Sequence, residues 1–368
     1  MTAPHIPFID LRPGEEASDV SDAIERVRAR GWFVLGPEVE AFEAEFADAC
    51  GARHAVGVAS GTDAITLLLR ASGIGAGDDV IVPALTAAYT ALGVVAAGAR
   101  PVFADIDPDR LTLDPVACDA AVTARTRAVI PVHLYGQPAD MEALRSVAGR
   151  RDLTVIEDCC QAHLATCAGV PVGTVGVGGA FSFYPTKNLG ALGDGGAVVT
   201  NDTGIADRVR LLRNGGQLDR YRHVETGINS RLDELQAAVL RVKMQRLRRA
   251  TNRRRTLAGL YRRHLPDFSL AVREYDAGHV YHLFPVRSSN RNALQAHLST
   301  AGIETLIHYP VALPDQPAFA AFAPIACPIA STVAGEVLSL PLHPRLQDAD
   351  IIRIAEAVGT FQKGRVLA

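Results

Sequence analysis

Lys187 closes the stretch Phe181-Ser182-Phe183-Tyr184-Pro185-Thr186-Lys187-Asn188 and precedes the glycine-rich Gly190-Ala191-Leu192-Gly193-Asp194-Gly195-Gly196. Aromatic and apolar neighbours desolvate an ammonium, which lowers its pKa and makes it a usable amine nucleophile. Taken singly, Lys187 reads equally as an exposed loop lysine. Asp158 stands with Glu157 at the end of the apolar run Thr154-Val155-Ile156, where a carboxylate is costly unless a cation or hydrogen-bond donor meets it. A protonated pyridine nitrogen would be such a partner, and the pairing would keep that ring able to take up electrons from a substrate carbon. A cap on a following helix is the alternative. Ser60-Gly61-Thr62-Asp63-Ala64 places small backbone and a hydroxyl at the first turn of a helix, where free N–H groups and the positive dipole end attract phosphate. An ordinary Ser or Thr N-cap accounts for the same residues.

These groups can act together only if the fold brings them to one place. Short apolar, β-branched runs recur at Ala55–Val58, Val80–Val82, Pro101–Phe103, Ala128–Val132, Thr154–Ile156, Ala180–Phe183 and Ala197–Val199. Most are separated by helix-like segments such as Ala64–Arg70 and Met141–Val147. Alternation of this kind predicts a mainly parallel sheet covered on both faces, with ligands beyond the carboxyl ends of its strands. Ser60–Asp63, Glu157–Asp158 and Tyr184–Lys187 all follow such runs, so they are expected to converge. A helix is predicted from near Ser230 toward Leu260. Strand-like His279–Arg287, a helix near Asn292–Thr300, a strand near Glu304–Tyr309 and a helix over Asp348–Val358 predict a smaller α/β unit. Residues 1–245 are expected to form the large domain with an N-terminal arm, and residues 246–368 the small one.

The 368 residues carry a formal charge of −3, with 48% hydrophobic and 21% charged residues, which calls for neither nucleic acid nor an anionic membrane. Arginines crowd between Arg241 and Arg263, but the rest of the chain offsets them, so they read as a solvated helix face. The charge-free run Val80–Ala99 contains Pro83, Gly93 and Gly98 and reads as strand, turn and helix rather than a membrane span. Six cysteines without a CxxC pair or framework spacing read as reduced thiols, with no metal site, in a cytoplasmic protein. The N-terminus has no signal-peptide pattern. Gly73-Ile74-Gly75-Ala76-Gly77 follows a helix, not a strand, and is read as a loop.

With these motifs in place, the sequence resembles the DegT/DnrJ/EryC1/StrS family of sugar aminotransferases. The likeness runs through Gly36-Pro37-Glu38-Val39, Gly57 to Ala64, Pro131-Val132-His133-Leu134-Tyr135-Gly136-Gln137-Pro138, and Ile156-Glu157-Asp158 with Gln161-Ala162-His163. It continues through Phe181 to Gly190, Asn229-Ser230-Arg231-Leu232-Asp233-Glu234, Ile307-His308-Tyr309-Pro310 and Leu338-Ser339-Leu340-Pro341. The resemblance implies the aspartate-aminotransferase-like fold of fold type I enzymes dependent on pyridoxal 5′-phosphate (PLP). It also implies that Lys187 holds PLP as a Schiff base, that Asp158 pairs with the pyridine nitrogen, and that Gln161 meets the ring's phenolic oxygen. Backbone around Gly61, Thr62 and Asp63, with the Ser182 hydroxyl, would hold the phosphate. Asn229 would reach the phosphate of a neighbouring subunit, making the working unit a homodimer with shared sites. Tyr184, His308 and Tyr309 would line the substrate side.

The implied reaction is transamination of a keto-sugar, a nucleotide-linked keto-deoxyhexose of a deoxysugar or antibiotic pathway, with L-glutamate or L-glutamine as donor. A keto-cyclitol acceptor and a non-catalytic PLP-binding regulator are the alternatives. The family's dehydratases carry histidine in place of the lysine, and Lys187 argues against that variant. The chain departs from the family at Ala87, where an aromatic residue that stacks on the cofactor is common. Tyr89 is the nearest replacement and, two residues along a helix, is expected to point elsewhere. Cys159, Cys160, Leu164 and the Gly215–Gly227 loop also differ from the usual pattern.

Overall fold

The computed structural model describes residues 5–12, 14–265, 276–323 and 325–366. In chain order the elements are α1 (Ala17–Arg30), α2 (Pro37–Ala49), β1 (His54–Val58), α3 (Gly61–Ala71), β2 (Asp79–Pro83), α4 (Ala88–Ala96), β3 (Arg100–Ala104), α5 (Pro115–Ala120), β4 (Thr126–Val129), α6 (Met141–Arg151) and β5 (Thr154–Asp158). A small hairpin of β6 (Thr166–Cys167) and β7 (Val170–Pro171) precedes β8 (Gly178–Ser182), β9 (Gly196–Thr200) and α7 (Thr203–Arg213). A second hairpin, β10 (Gln217–Asp219) and β11 (Arg222–His223), leads to the long α8 (Glu234–His264). Then follow β12 (Phe284–Arg287), α9 (Arg291–Thr300), α10 (Pro328–Glu336), β13 (Val337–Leu340) and α11 (Asp348–Val366).

The expected mainly parallel sheet is present, seven-stranded, in the order β1-β9-β8-β5-β4-β2-β3. β2, β3, β4, β5 and β8 run parallel, while β9 is antiparallel to both β8 and β1. The reversal at β9 has a consequence for the site. Because β9 opposes both neighbours, β1 and β8 point the same way, and Gly196 at the start of β9 pairs with both Val58 and Ser182 at their ends. Asp158 lies level with Ala180 on β8. The ends of β1, β5 and β8 therefore share one edge of the sheet, as strand order and direction alone require.

The sheet is buried on both faces, which is why its strands read as near-continuous apolar runs. One face packs on Leu67, Leu68, Val94 and Val209, the other on Phe42, Phe46, Leu232 and Leu240 in one region and on Leu144 and Val147 in another. The rings of Phe42 and Phe46 meet Phe183 edge-on at 5.3 and 5.2 Å, so the segment carrying Lys187 leaves a rigid aromatic core. A separate cluster, with Leu257, Tyr261, Phe284, Leu294, Ile351 and Val358, forms the core of the C-terminal part. Residue 246 lies within α8, whose earlier residues Ala238 and Val242 pack on Ala23 and Val27. We propose the division after residue 245 on this separation of cores, with the helix running through both.

Two segments differ from their expected form. Only Phe284–Arg287 of the expected His279–Arg287 strand is extended, because Tyr281 adopts a left-handed φ of 48° and the chain turns there. The expected strand near Glu304–Tyr309 shrinks to a single bridge between Leu306 and Ser339, after which the chain departs toward the sheet edge. The arginines of α8 are more than a solvated face. Arg241 pairs with Glu38 and Glu45, Arg246 with Asp19, and Arg253 with Asp348, tying α8 to α1, α2 and α11. Among the described residues no helix is long and apolar enough to cross a membrane, and the Val80–Ala99 run forms β2, a turn and α4. All six cysteines are free thiols.

The distant motifs at Gly36–Val39 and Asn229–Glu234 meet through one side chain. Buried Glu234 accepts hydrogen bonds from the N–H groups of Gly36, Glu38 and Val39 at 2.9, 3.0 and 2.8 Å and so caps α2 from the start of α8. Glu234→Ala would strand three amides in a buried place. It is expected to lower unfolding free energy by about 3 kcal/mol in chemical denaturation, and a loss under about 1 kcal/mol would show those amides to be solvated.

Candidate active site

At the shared edge, the chain leaving β1 enters α3 directly. Ser60 is the N-cap, and its Oγ accepts from the Asp63 N–H at 3.1 Å. The Asp63 carboxylate is also engaged, accepting from Ser230 Oγ at 2.7 Å, while Ser230 Oγ accepts from the Ala59 N–H at 3.0 Å. The open donors are thus the Gly61 and Thr62 amides, which have no hydrogen-bond partner among the described residues. A side chain at Gly61 would put its Cβ 2.6 Å from Cys160 Sγ and 2.8 Å from Ser182 Cβ. Ser182 Cβ therefore stands beside Gly61, its Oγ accepts from the Tyr184 N–H at 3.3 Å, and only glycine leaves the space between them free. Gly196 is needed for a related reason, since a Cβ there would lie 2.4 Å from the Ser60 carbonyl.

Asp158 is buried at the end of β5. Its Oδ2 accepts from Thr90 Oγ1 at 2.7 Å and its Oδ1 from the Cys160 N–H at 3.0 Å, which leaves each oxygen a lone pair for a cation. Gln161 is held from both ends. Its Oε1 accepts from the Tyr135 N–H at 2.7 Å, and its Nε2 donates to Tyr309 Oη at 3.0 Å. Tyr135 in turn donates its hydroxyl to the His308 carbonyl, and His308 Nδ1 lies 3.0 Å from Ser339 Oγ. This chain of contacts fastens the C-terminal part to the sheet edge.

Lys187 is half-buried between these groups. Burial lowers its pKa, against the opposing pull of Cys160 and Asp158. The ammonium also helps burial hold three imidazoles neutral: His163 at about 3, His308 at about 4, and His282 well below the ordinary value. Lys187, Asp158, Cys160 and these histidines therefore form one electrostatic neighbourhood. Tyr309 is shifted upward, mainly by burial, with Asp158, Cys160 and Tyr89 adding to it.

Tyr89 sits in the first turn of α4, 65% exposed, with Ala87 as the N-cap. Tyr184 is exposed, and Asn229 is exposed with no side-chain hydrogen bond among the described residues.

Sequence reasoning missed Thr90, Tyr135 and His282. Thr90 had a signal: a polar residue in a buried apolar run needs a partner, and here it is Asp158. Tyr135 lies within the Pro131–Pro138 motif, but neither its contact nor that of His282 had a signal, because they reach residues 26 and 94 positions away. His133, Glu157 and Cys159 bring ligand-type atoms within 4.8 Å of one another. Glu157 is already saturated there, by His133 Nε2 at 3.1 Å and by the Gly173, Val175 and Gly176 amides at 2.8, 2.8 and 2.9 Å. It anchors the loop that leads into β8.

An amide cup at a helix N-terminus, a carboxylate with spare lone pairs and a desolvated amine fit the phosphate, pyridinium nitrogen and aldehyde of PLP. The model of the DegT/DnrJ/EryC1/StrS aminotransferase family matches residues 15–359. The chain is 48% identical over 362 residues to the dTDP-3-amino-3,4,6-trideoxy-alpha-D-glucose transaminase of Streptomyces venezuelae, covering 96% of each. It is 44% identical over 357 residues to the UDP-N-acetyl-3-dehydro-alpha-D-glucosamine 3-aminotransferase of Acidithiobacillus ferrooxidans, covering 96% of this chain and 97% of that protein. The solved structure of DesV from S. venezuelae superposes with a TM-score of 0.95 at 48% identity, covering 98% of this chain and 99% of that one.

Proposed function

We propose a substrate and a set of residue roles for this chain, which belongs to the DegT/DnrJ/EryC1/StrS aminotransferase family and is an enzyme of sugar transamination. The substrate is a nucleotide-linked keto-deoxyhexose, the donor is L-glutamate or L-glutamine, and the cofactor is PLP. The observation that carries this reading is the placing of Lys187, Asp158 and the Gly61–Thr62 amides around one sheet edge.

When bound, PLP supplies an electron sink for the electrons released as a proton leaves the substrate's amine-bearing carbon. The chain's residues do the rest. The Gly61 and Thr62 amides and the Ser182 hydroxyl would hold the phosphate, Asp158 the ring nitrogen, and Gln161 the phenolic oxygen. Lys187 Nζ would carry the cofactor and, once displaced by the donor, move a proton to and from the reacting carbon. Its depressed pKa favours the neutral form that this task requires. Tyr184, His308 and Tyr309 would face the sugar. In a homodimer, the exposed Asn229 would meet the neighbouring subunit's phosphate.

The test is amino transfer to a panel of dTDP- and UDP-linked keto-sugars and keto-cyclitols, with glutamate or glutamine as donor. The amino product would be read by mass spectrometry. Turnover of one or more nucleotide-linked keto-sugars is expected. Turnover of cyclitols alone would overturn the substrate, and no transfer from either donor would overturn the donor.

A further inference from the structure

Gln161 and Tyr309 belong to one closed ring of contacts. The Tyr135 N–H donates to Gln161 Oε1 at 2.7 Å, Gln161 Nε2 donates to Tyr309 Oη at 3.0 Å, and the Tyr135 hydroxyl donates to the carbonyl of His308, the residue before Tyr309. Tyr135 thus holds both ends of the ring.

Tyr135 is itself fixed from behind. It is fully buried and takes a left-handed φ of 60°, with Gly136 following at 91°. That conformation is uncommon for a residue with a side chain and persists only where the surroundings hold it. Here the Leu283 N–H donates to the Tyr135 carbonyl at 3.3 Å and the Val280 N–H to the Gly136 carbonyl at 3.0 Å, while a Cβ on Gly136 would lie 2.9 Å from the His282 backbone nitrogen. The turn has no room to shift. From the other side, Ser339 Oγ lies 3.0 Å from His308 Nδ1, and the Leu306 and Ser339 backbones exchange hydrogen bonds at 3.3 and 2.8 Å. Ser339 is also fully buried.

The ring decides which hydrogens are left over. A backbone N–H can only donate, so the Gln161 atom that meets Tyr135 is the carboxamide oxygen, and Nε2 faces Tyr309. One Nε2 hydrogen goes to Tyr309, and the second is left for the cofactor's phenolic oxygen. The Tyr309 oxygen, already an acceptor, keeps its own hydrogen, for which no acceptor is found among the described residues. Burial raises the Tyr309 pKa, so that hydrogen stays in place at ordinary pH. A half-buried hydroxyl with a fixed oxygen and a free hydrogen is a donor awaiting an acceptor.

We propose that Tyr135 and Ser339 are positioning residues for the acceptor half of the reaction, acting through the His308–Tyr309 segment to aim the Tyr309 hydroxyl at an oxygen of the keto-sugar. The inference rests on the reading in which Tyr309 faces the sugar. Removing the Tyr135 hydroxyl leaves its N–H on Gln161, so the donor half of the reaction should be spared.

The test combines hydrogen exchange and kinetics on Tyr135→Phe and Ser339→Ala. In the cofactor-free protein, amide exchange over residues 306–309 is expected to accelerate about fivefold or more in each variant. In the PLP-loaded enzyme, the KM for a dTDP-linked keto-sugar should rise about five- to tenfold, while single-turnover transfer from the donor stays within about twofold. Tyr309→Phe should raise the same KM, and adding Tyr135→Phe to it should raise it no further. Circular dichroism identifies either single variant that fails to fold, and the other then decides. Unchanged exchange in a folded variant, equal losses in both half-reactions, or additive losses in the double variant would each overturn the positioning role. A wild-type enzyme that takes up PLP but aminates no keto-sugar would instead overturn the reading on which the role rests, an outcome seen before any variant is made.

Discussion

Lys187→Ala is expected to lower amino transfer by about 10⁴-fold or more while leaving the protein folded. Both halves of this expectation come from one environment. The amine is desolvated and forms no salt bridge among the described residues, so it contributes reactivity and little stability. Its removal relieves a buried charge and leaves the Phe42, Phe46 and Phe183 packing untouched. The measurement is single-turnover transfer from the donor, with thermal unfolding as the control for folding. A variant that keeps its rate within about tenfold would remove Lys187 from the chemistry. Burial also sets a pH signature. Covalent capture of PLP by the cofactor-free protein needs the neutral amine, whose share grows as pH rises through the Lys187 pKa. Because burial lowers that pKa, capture should accelerate at a lower pH than the roughly 10.4 of a free lysine side chain.

Asp158→Asn is expected to lower turnover by about 10²- to 10³-fold and to weaken retention of PLP. The substitution preserves shape but removes the charge that would face a pyridinium. It also disturbs the local hydrogen bonding, because Thr90 Oγ1 and the Cys160 N–H both donate to this carboxylate. An asparagine offers one acceptor oxygen and turns its NH₂ toward the other donor. Thr90→Val separates the two effects. It leaves the charge and removes one orienting bond, so a loss of only about tenfold is expected. Equal losses in both variants would mean that orientation, not charge, is what Asp158 contributes. Steady-state rates and PLP dissociation kinetics provide the comparison.

Much of this site was legible along the chain because its chemistry is carried by residues next to recognisable element ends. Ser60–Thr62, Asp158 and Lys187 each follow an apolar run, and a mainly parallel sheet places such positions at one edge. The supporting contacts were harder to read. Thr90 lies in an apolar run that suggested only strand, turn and helix, and its use appears once α4 starts at Ala88 and turns the hydroxyl toward β5. The expected strand at Glu304–Tyr309 is a bridge instead, and the segment after it is held at the sheet edge by Gln161 and Tyr135. Asp63 belongs to the phosphate motif by position, yet its N–H and carboxylate are spent on Ser60 and Ser230. The same holds for Glu234, whose place in a recognisable motif gives no hint that it caps a helix almost two hundred residues earlier.

Sequence alone determined which residue types could do chemistry and which elements they terminate, since periodicity, glycine placement and end-of-strand polarity are local properties of the chain. It also carried the family likeness, and with it the expected cofactor and reaction. Tertiary structure decided which donors remain open and which distant side chains meet Asp158, Gln161 and Glu234. Those properties belong to no single segment. They follow from how the antiparallel β9, the long α8 and the C-terminal segments bring distant polar groups within hydrogen-bonding distance, or leave them without a partner.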